Sequence, residues 1–300
     1  MSQAGAPIAP DWRQIEREVP GLCVRSAGFL GEGWCSRAYL VNGDLVVRFS
    51  KRPDHWPELD REIAFLAWAG DKLPLAVPQY LHVAPHSPVA PNGYSVYRYL
   101  PGGPADVHAL TPSGRLAAAE NVAHFLRALH GLQPGEDVAS RLPREDARIV
   151  AEECLARVER EILPNLDTVE VREVRRQFET YLGTSENLSF RPVVLHADLS
   201  RDHLLVHNDA VTAVLDFGDV NWGDRDYDFH YLFMDYGKAF VMEVARRYGH
   251  PDLEHLWSKV RYFALADQIG TILDGPGRAL EGQLDAAWAR VKQLLRRQDG

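Results

Sequence analysis

A strand–turn–strand pattern between residues 192 and 219 constrains the fold of this chain more than any other feature. It consists of short apolar runs at residues 192–195, 204–206 and 211–215 and of a turn-forming segment at residues 207–210. Short β-branched and aliphatic runs around such a turn predict a β-hairpin. Asp198 then lies in the loop before the hairpin and Asp216 at its far exit, so both carboxylates face the same side.

Two aspartates placed eighteen residues apart in this way can share one pocket. Phosphoryl transfer from a nucleotide needs one group that accepts a proton and another that holds a cation. A buried strand, a polar turn and a second buried strand also make an ordinary hairpin, so the chemistry depends on the surrounding sequence.

The segments that carry these aspartates, His196-Ala-Asp198 and Asp216-Phe-Gly, resemble the catalytic loop and the metal-binding segment of the protein-kinase-like fold. The variant that begins His-x-Asp is that of the aminoglycoside phosphotransferase family. The resemblance covers residues 29 to about 273 and implies an α+β, bilobal fold, with a small N-terminal antiparallel-sheet lobe and a larger helical C-terminal lobe. It also implies that Asp198 is the catalytic base and that Asp216 holds Mg²⁺.

His203 departs from the general kinase pattern, which has an asparagine five residues after the catalytic aspartate. Magnesium prefers hard oxygen ligands to an imidazole nitrogen. The aminoglycoside 2''-phosphotransferases and the macrolide kinases are similar in having histidine here. The resemblance therefore implies a place in the metal site for His203; a supporting hydrogen bond beside the site is the alternative.

The resemblance is strongest to the aminoglycoside 2''-phosphotransferases, through His203 and the segment Asp226-Tyr-Asp228-Phe. Macrolide kinases usually have tryptophan after the metal-binding aspartate, where this chain has Phe217. The implied reaction is transfer of the γ-phosphate of a nucleoside triphosphate to a hydroxyl of an aminoglycoside antibiotic, with antibiotic resistance as the implied role.

The N-terminal third has a second nucleotide signature. Strand-like residues 29–41, an Asn42-Gly43 turn and residues 44–49 predict a hairpin. Gly31 and Gly33 lie near the start of its first segment and would let the backbone approach a triphosphate closely. The resemblance places Arg48 where kinases have a phosphate-binding lysine, and Glu62, beside the apolar stripe of a predicted helix, where a glutamate pairs with that lysine.

A predicted strand that ends in a Pro-Gly turn would connect the two lobes. The resemblance implies a nucleotide-binding N-terminal lobe at residues 1–100, a hinge at about 97–103, and a helical lobe at 104–300 with the catalytic loop, metal site and substrate pocket. Four hinge residues are expected to contact the base through their backbone, which leaves ATP and GTP equally open: Tyr97, Arg98, Tyr99 and Leu100.

Helical periodicity dominates the rest of the chain. The predicted helices of the second lobe are residues 115–132, 146–162, 171–182, 227–248, 253–273 and 279–295.

Composition excludes several protein classes. A net charge of −9 argues against nucleic acid as a partner and agrees with a cationic small-molecule substrate. Three scattered cysteines predict neither a disulfide framework nor a zinc site. Residues 1–10 lack the pattern of a signal peptide and there is no long apolar run, so we expect a cytoplasmic protein without a membrane partner.

Carboxylates before and after the hairpin are candidates for binding the substrate's ammonium groups. We expect Asp198, Asp235 and Asp267 to do so, with a solvated helix face as the alternative for Asp267. Asp228 matches a family position that braces the catalytic loop. Two other readings stay open: a macrolide or other small-molecule O-kinase of the same fold, and an inactive pseudokinase that serves as a binding module.

Overall fold

A computed structural model describes residues 10–276 and 282–296 of the chain. The fold divides into two units, Met1–Ile63 with Pro78–Tyr99 and Ala64–Val77 with Leu100–Gly300. The functional boundary at residues 97–103 stays a prediction, and residues 64–77 belong to the second unit in this division. Residues 1–9, on which the signal-peptide prediction mainly rests, lie outside the described residues.

The first unit is built on an antiparallel sheet. Its elements are α1 (Trp12–Glu18), β1 (Ala27–Glu32), β2 (Ser36–Val41), β3 (Leu45–Ser50), the 3₁₀ turn Pro53–His55, α2 (Trp56–Ala69), β4 (Tyr80–Ala84) and β5 (Tyr94–Arg98). The strand order is β1-β2-β3-β5-β4, and α2 continues past Ile63 into the second unit. Asn42 and Gly43 have φ values of 56° and 82°, the two left-handed residues of a tight hairpin turn. The predicted hairpin is therefore confirmed.

The sheet of the first unit buries one face against α1 and the loop before β5. The buried side chains of this core are Ile15, Val19, Val41, Val47, Ala90, Tyr94 and Val96. Val47 and Arg48 are adjacent on β3 and so point to opposite faces of the sheet. Burial of Val47 in the core therefore directs Arg48 to the other face.

The second unit is mainly helical, with two small antiparallel sheets. Its elements are β6 (Gly103–Pro104), α3 (Pro112–His130), α4 (Glu136–Ala139), α5 (Ala147–Arg157), the π turn Val158–Ile162, α6 (Thr168–Gly183), α7 (Ser185–Leu188), β7 (Val193–Leu195), β8 (Leu204–His207), β9 (Ala210–Val214), β10 (Asn221–Gly223), the 3₁₀ turn Arg225–Phe229, α8 (His230–Tyr248), α9 (Leu253–Asp274) and α10 (Gln283–Arg296). The sheets are β6-β8-β9 and β10-β7. A small N-terminal antiparallel sheet followed by a helical part confirms the predicted α+β class.

The hairpin predicted before Asp216 is confirmed, since β8 and β9 pair in antiparallel register. Asn208 and Asp209 have positive φ values of 51° and 62° at its tip. Short polar side chains tolerate this left-handed conformation, which matches the twist of the strands.

The helix predicted at residues 227–248 is shorter than expected. Asp224 accepts a hydrogen bond from the Asp226 N–H and begins a 3₁₀ turn, so α8 starts only at His230. Gly237, with a φ of 82°, interrupts α8. Residues 279–281, the predicted start of the last helix, lie outside the described residues. No described helix is long and apolar enough to cross a membrane.

Candidate active site

The loop between β7 and β8 carries His196, Asp198 and His203. His196 is buried, and its Nε2 lies 3.0 Å from the carbonyl oxygen of Leu215. The Asp198 N–H donates to Nδ1 at 3.2 Å, so the proton of the neutral ring is on Nε2. Burial lowers the pKa of His196 to about 4. A neutral imidazole with both nitrogens bonded to backbone orients the loop and is not available as a base.

Asp228 braces the same loop, as the sequence predicted. Its carboxylate accepts the backbone N–H groups of His196 at 2.9 Å and Ala197 at 2.8 Å. Ala197 has a φ of 69°, a strained conformation for a residue with a Cβ, and these hydrogen bonds hold it there. His130 lies 3.1 Å from Asp228 and supports it from α3. Sequence reasoning missed His130, because one histidine on an apolar helix face carries no distinguishing pattern.

The structure brings Asp198, His203 and Asp216 together. His203 Nδ1 lies 3.3 Å from Asp198 Oδ2, and His203 Nε2 lies 3.6 Å from Asp216 Oδ2. Asp216 follows β9 with a φ of 60°, which turns its side chain out of the strand direction. Three side chains from one loop and one strand exit thus form a cluster that is acidic and partly open to solvent.

The hydrogen bonds of His203 fix which nitrogen faces Asp216. Nδ1 lies 2.8 Å from the Asp198 carbonyl oxygen, which only accepts, so Nδ1 carries the proton in the neutral ring. The lone pair of Nε2 then points toward the Asp216 side. With bonds of about 2.0–2.2 Å to a metal, two ligand atoms 3.6 Å apart can share one ion. The spacing of these two atoms is therefore compatible with one divalent cation, and the metal site stays a prediction.

The pKa of the Asp198 carboxyl group is perturbed by its surroundings. Burial raises its pKa to about 7, and the charges of Asp216, Asp219 and Asp267 act in the same direction, while His203 opposes them. A group whose pKa is close to neutral is suited to accept a proton at physiological pH.

Asp267 does not lie on a solvated helix face, which was the alternative considered for it. Its side chain is 14% exposed and accepts a hydrogen bond from the Tyr231 hydroxyl at 3.0 Å. Burial opposes its ionisation, but nearby His230 and the donors Gln268 and Tyr231 outweigh that effect and lower the pKa of Asp267. The group is therefore held as an anion close enough to influence Asp198.

Asp235 contacts the catalytic loop directly. Its Oδ2 accepts the backbone N–H of Arg201 at 2.7 Å, and burial raises its pKa. It also borders a cavity of about 270 Å³ together with His108, Tyr236 and Arg290. Asp235 thus supports the loop as well as facing a space beside it.

Asp224 and Asp226 belong to a separate buried network. Lys259, 3% exposed, pairs with both carboxylates, at 2.7 Å from Asp226. His250 lies 2.9 Å from the other Asp226 oxygen. These charges are compensated inside the fold, so the acidic run after Asp216 does not serve one purpose throughout.

The first unit contains the pairing predicted between Arg48 and Glu62. Arg48 Nη1 donates to Glu62 Oε2 at 3.0 Å, and Arg48 Nε donates to the Ser36 hydroxyl at 2.9 Å. The two side chains are 10% and 0% exposed. The ion pair fixes the guanidinium on the face of β3 opposite the core.

Gly31 lies near the end of β1, opposite Ala38, and Gly33 lies in the turn between β1 and β2. The Gly33 N–H donates to the Ser36 carbonyl at 2.9 Å, and Lys51 Nζ donates to the Gly33 carbonyl at 3.0 Å. A Cβ added at either glycine would meet no atom within 4 Å. The two glycines are therefore not required by internal packing.

The predicted hinge residues differ in how their backbone is engaged. Tyr97 is buried and its ring meets that of Tyr80 edge-on at 5.5 Å, while Arg98 is exposed. Tyr97 and Arg98 pair with Val46 and Leu45 of β3. The Tyr99 N–H already donates to the Asp44 carbonyl at 2.9 Å, and Leu100 begins the second unit.

The first unit thus holds a buried arginine–glutamate pair, and the second holds a braced aspartate beside a histidine and a second aspartate. The model of the phosphotransferase enzyme family matches residues 27–263. The chain belongs to this family and is an O-phosphotransferase.

Solved structures of aminoglycoside 2''-phosphotransferases are similar to this chain along nearly its whole length. A GDP and kanamycin complex of APH(2'')-IIia has a TM-score of 0.86 at 28% identity, and 94% of this chain and 97% of that one are covered. A GDP complex of wild-type aminoglycoside 2'-phosphotransferase-IIIa has a TM-score of 0.87 at 27% identity over 95% and 97%. A macrolide 2'-phosphotransferase type I shares the fold, with a TM-score of 0.72 at 21% identity over 94% and 96%.

Proposed function

We propose that the protein transfers the γ-phosphate of a nucleoside triphosphate to a hydroxyl group of a cationic aminoglycoside. The observation that carries the proposal is the cluster of Asp198, His203 and Asp216 on a loop braced by Asp228. It combines a carboxyl group whose pKa is near neutral with a pair of cation ligands.

Asp198 acts as the base in this proposal. It accepts a hydrogen bond from the substrate hydroxyl, orients the oxygen toward the phosphorus, and takes the proton as the new O–P bond forms. The neutral His196 keeps the Asp198 backbone in place through Nδ1. Most of the acceleration then comes from positioning and from fixed charges.

Asp216 and His203 would hold Mg²⁺. The carboxylate is the hard oxygen ligand that this ion prefers, and the imidazole nitrogen completes the pair. Magnesium supplies charge neutralisation at the β- and γ-phosphates when it is bound.

Residues of the first unit would bind the nucleotide. Arg48, steered by Glu62, offers a fixed guanidinium to the phosphates, and the backbone at Gly31 and Gly33 would cover them. The backbone of residues 97–100 would read the base, with the Tyr99 amide less suited because it bonds Asp44. GDP in two of the similar structures leads us to expect turnover with GTP.

Carboxylates around Asp198 would select the acceptor. Asp198 and the anionic Asp267 favour ammonium groups, and Asp235 adds a third carboxylate beside the loop. Kanamycin in one similar structure, together with the net charge of −9, supports a cationic aminoglycoside.

A screen of acceptors tests the proposal. The purified protein is incubated with Mg²⁺ and either ATP or GTP, in the presence of kanamycin, gentamicin, streptomycin or a macrolide, and the acceptors are analysed by mass spectrometry. We expect a phosphorylated aminoglycoside with wild type and none with Asp198→Asn. Phosphorylation of the macrolide alone would replace the proposed substrate class, and no acceptor-dependent turnover would contradict the proposal.

A further inference from the structure

Three side chains with metal-binding atoms meet in the first unit, on residues that the proposed reaction does not use. Cys35, His55 and Glu58 each offer one ligand atom, and these atoms lie within 4.8 Å of one another. Cys35 precedes β2, His55 ends the 3₁₀ turn, and Glu58 is in the first turn of α2.

His55 is oriented in the way that histidine ligands usually are. The residue is 3% exposed, and its Nδ1 lies 3.2 Å from the Ser50 hydroxyl. Its Nε2 faces Glu58 Oε2 at 3.9 Å. A hydrogen bond to one ring nitrogen fixes the ring and directs the other nitrogen toward a metal.

Cys35 is held next to His55 by the sheet. The Lys51 N–H donates to the Cys35 carbonyl at 2.7 Å, and Ser36 pairs with Ser50 across β2 and β3. Arg52 Nη2 contacts the sulfur at 3.4 Å. A neighbouring guanidinium favours the thiolate, which is the form that binds metal ions.

We propose that Cys35, His55 and Glu58 bind a thiophilic divalent cation, with Zn²⁺ as the best match. Thiolate, imidazole and carboxylate are the three ligand types of zinc, whereas Mg²⁺ rarely accepts sulfur. Two negative ligands and one neutral ligand balance the charge of the ion. Binding releases the thiol proton to solvent, and water supplies the fourth ligand of a tetrahedral site.

Metal at this site would join two segments that carry proposed nucleotide contacts. Cys35 ends the turn that contains Gly33 and that follows Gly31 of β1. Glu58 is four residues before Glu62 on α2, so the two carboxylates lie on the same face of the helix. The ion would restrain the glycine turn against the start of α2 and thereby reduce the motion of the turn.

Metal titration of the whole protein tests this site. Zn²⁺ is titrated in the presence of a competing chelating dye, and Co²⁺ is used to record the thiolate-to-cobalt absorption band. We expect one Zn²⁺ per chain. We also expect the affinity of Cys35→Ser for Zn²⁺ to be lower than that of wild type. The loss should exceed the roughly 10- to 100-fold decrease that is typical when a residue hydrogen-bonded to a metal ligand is removed.

Matched variants separate this site from other metal sites. Cys23→Ser removes an exposed cysteine of the same unit and should leave affinity and the cobalt band unchanged. Asp216→Asn, which disables the proposed magnesium pair, should retain the zinc site. The proposal would be overturned if wild type bound no Zn²⁺ or if Cys23→Ser lost the cobalt band. It would also be overturned if Cys35→Ser kept both its circular dichroism spectrum and the wild-type affinity for Zn²⁺.

Discussion

Charged side chains are used in opposite ways in the two units. In the first unit, Arg48 and Glu62 form a buried pair with 10% and 0% side-chain exposure and opposite charges. In the second, Asp198, His203 and Asp216 are 27%, 20% and 37% exposed and carry an excess of acid. A compensated pair keeps one geometry, whereas an acidic, partly open cluster can exchange protons and cations.

Neutralising one carboxylate should therefore change the unfolding free energy in opposite directions in the two units. Neutralising Glu62 leaves a buried cation without its counter-charge and should destabilise the fold. Neutralising Asp198 removes a charge whose burial is unfavourable and relieves its repulsion by nearby carboxylates, so it should stabilise the fold. The same change at Asp198 removes the proposed base, so stability and activity should move in opposite directions there.

The largest effect is expected for Asp198→Asn on catalysis. The amide cannot accept the hydroxyl proton, so we expect kcat to fall by about 10²- to 10⁴-fold. The change is nearly isosteric, and KM for the nucleotide should change little. Steady-state kinetics with saturating acceptor measure both constants.

Asp202→Asn is the matched control, because Asp202 is an exposed aspartate four residues further along the same loop. It should retain kcat within a factor of about two, as expected of an exposed side chain that makes no contact with the reacting atoms. A similar loss of kcat in both variants would show that the loop is sensitive to any change and that Asp198 is not its base.

The next largest effect is expected for Glu62→Gln on stability. Loss of one partner of a buried ion pair costs on the order of 3 kcal/mol of unfolding free energy, because the remaining charge stays buried. Denaturant unfolding followed by circular dichroism measures the change. Arg48→Met combined with Glu62→Leu should recover part of the loss, since neither charge is then buried.

An exposed pair of the same kind provides the contrast. Arg148 and Glu152 of α5 are 54% and 55% exposed and lie 3.5 Å apart. Glu152→Gln should change the unfolding free energy by less than about 0.5 kcal/mol. Equal effects at positions 62 and 152 would mean that burial does not distinguish the two pairs.

Local patterns in the sequence predicted several of these features. The hairpin before Asp216 follows from alternating apolar runs around turn residues, and the Asn42-Gly43 turn follows from the conformational freedom of these two residues. The Arg48–Glu62 pair was reached through family resemblance and is present at 3.0 Å. Local turn and strand patterns are enough to predict the hairpins, and a shared family motif is enough to predict the ion pair.

Contacts between distant residues with no motif were beyond sequence reasoning. His130 supports Asp228 from 98 residues away, and nothing in α3 marks that histidine. The meeting of Cys35 with His55 and Glu58 was missed because the cysteines were considered without the histidines. The 3₁₀ turn before α8 and the interruption of the helix at Gly237 were also not predicted, because the helical periodicity of residues 227–248 marks neither of them.

A smaller effect is expected for Asp198→Asn on stability as a function of pH. Burial raises the pKa of Asp198 to about 7 in the fold from its ordinary value of 3.8, so its stabilising contribution is complete below pH 3.8 and is lost as pH rises through 7. Asparagine stays neutral throughout. Without divalent cations, the unfolding free energy of Asp198→Asn should exceed that of wild type at pH 8 by on the order of 2 kcal/mol, with allowance for solvent screening. The two unfolding free energies should be equal near pH 4.

Thermal unfolding at the two pH values measures this difference, with Asp202→Asn as the control that should show none. A lower melting temperature for Asp198→Asn at pH 8 would contradict the inferred repulsion. Addition of Mg²⁺ should reduce the difference, because a cation beside Asp216 stabilises the charged form of Asp198.

The smallest effect is expected for Asp219→Asn on the pH dependence of kcat/KM. The charge of Asp219 is one of those that raise the pKa of Asp198, so its removal should lower that pKa. The base form of Asp198 then persists to lower pH, and the acidic limb of the kcat/KM profile should move down by a fraction of a pH unit.

Asp137→Asn, which changes an exposed aspartate of α4, is the control and should leave the acidic limb in place. Profiles recorded at one Mg²⁺ concentration make the comparison. A limb that stays in place or moves to higher pH in Asp219→Asn would mean that like-charge repulsion does not set the proton affinity of the proposed base.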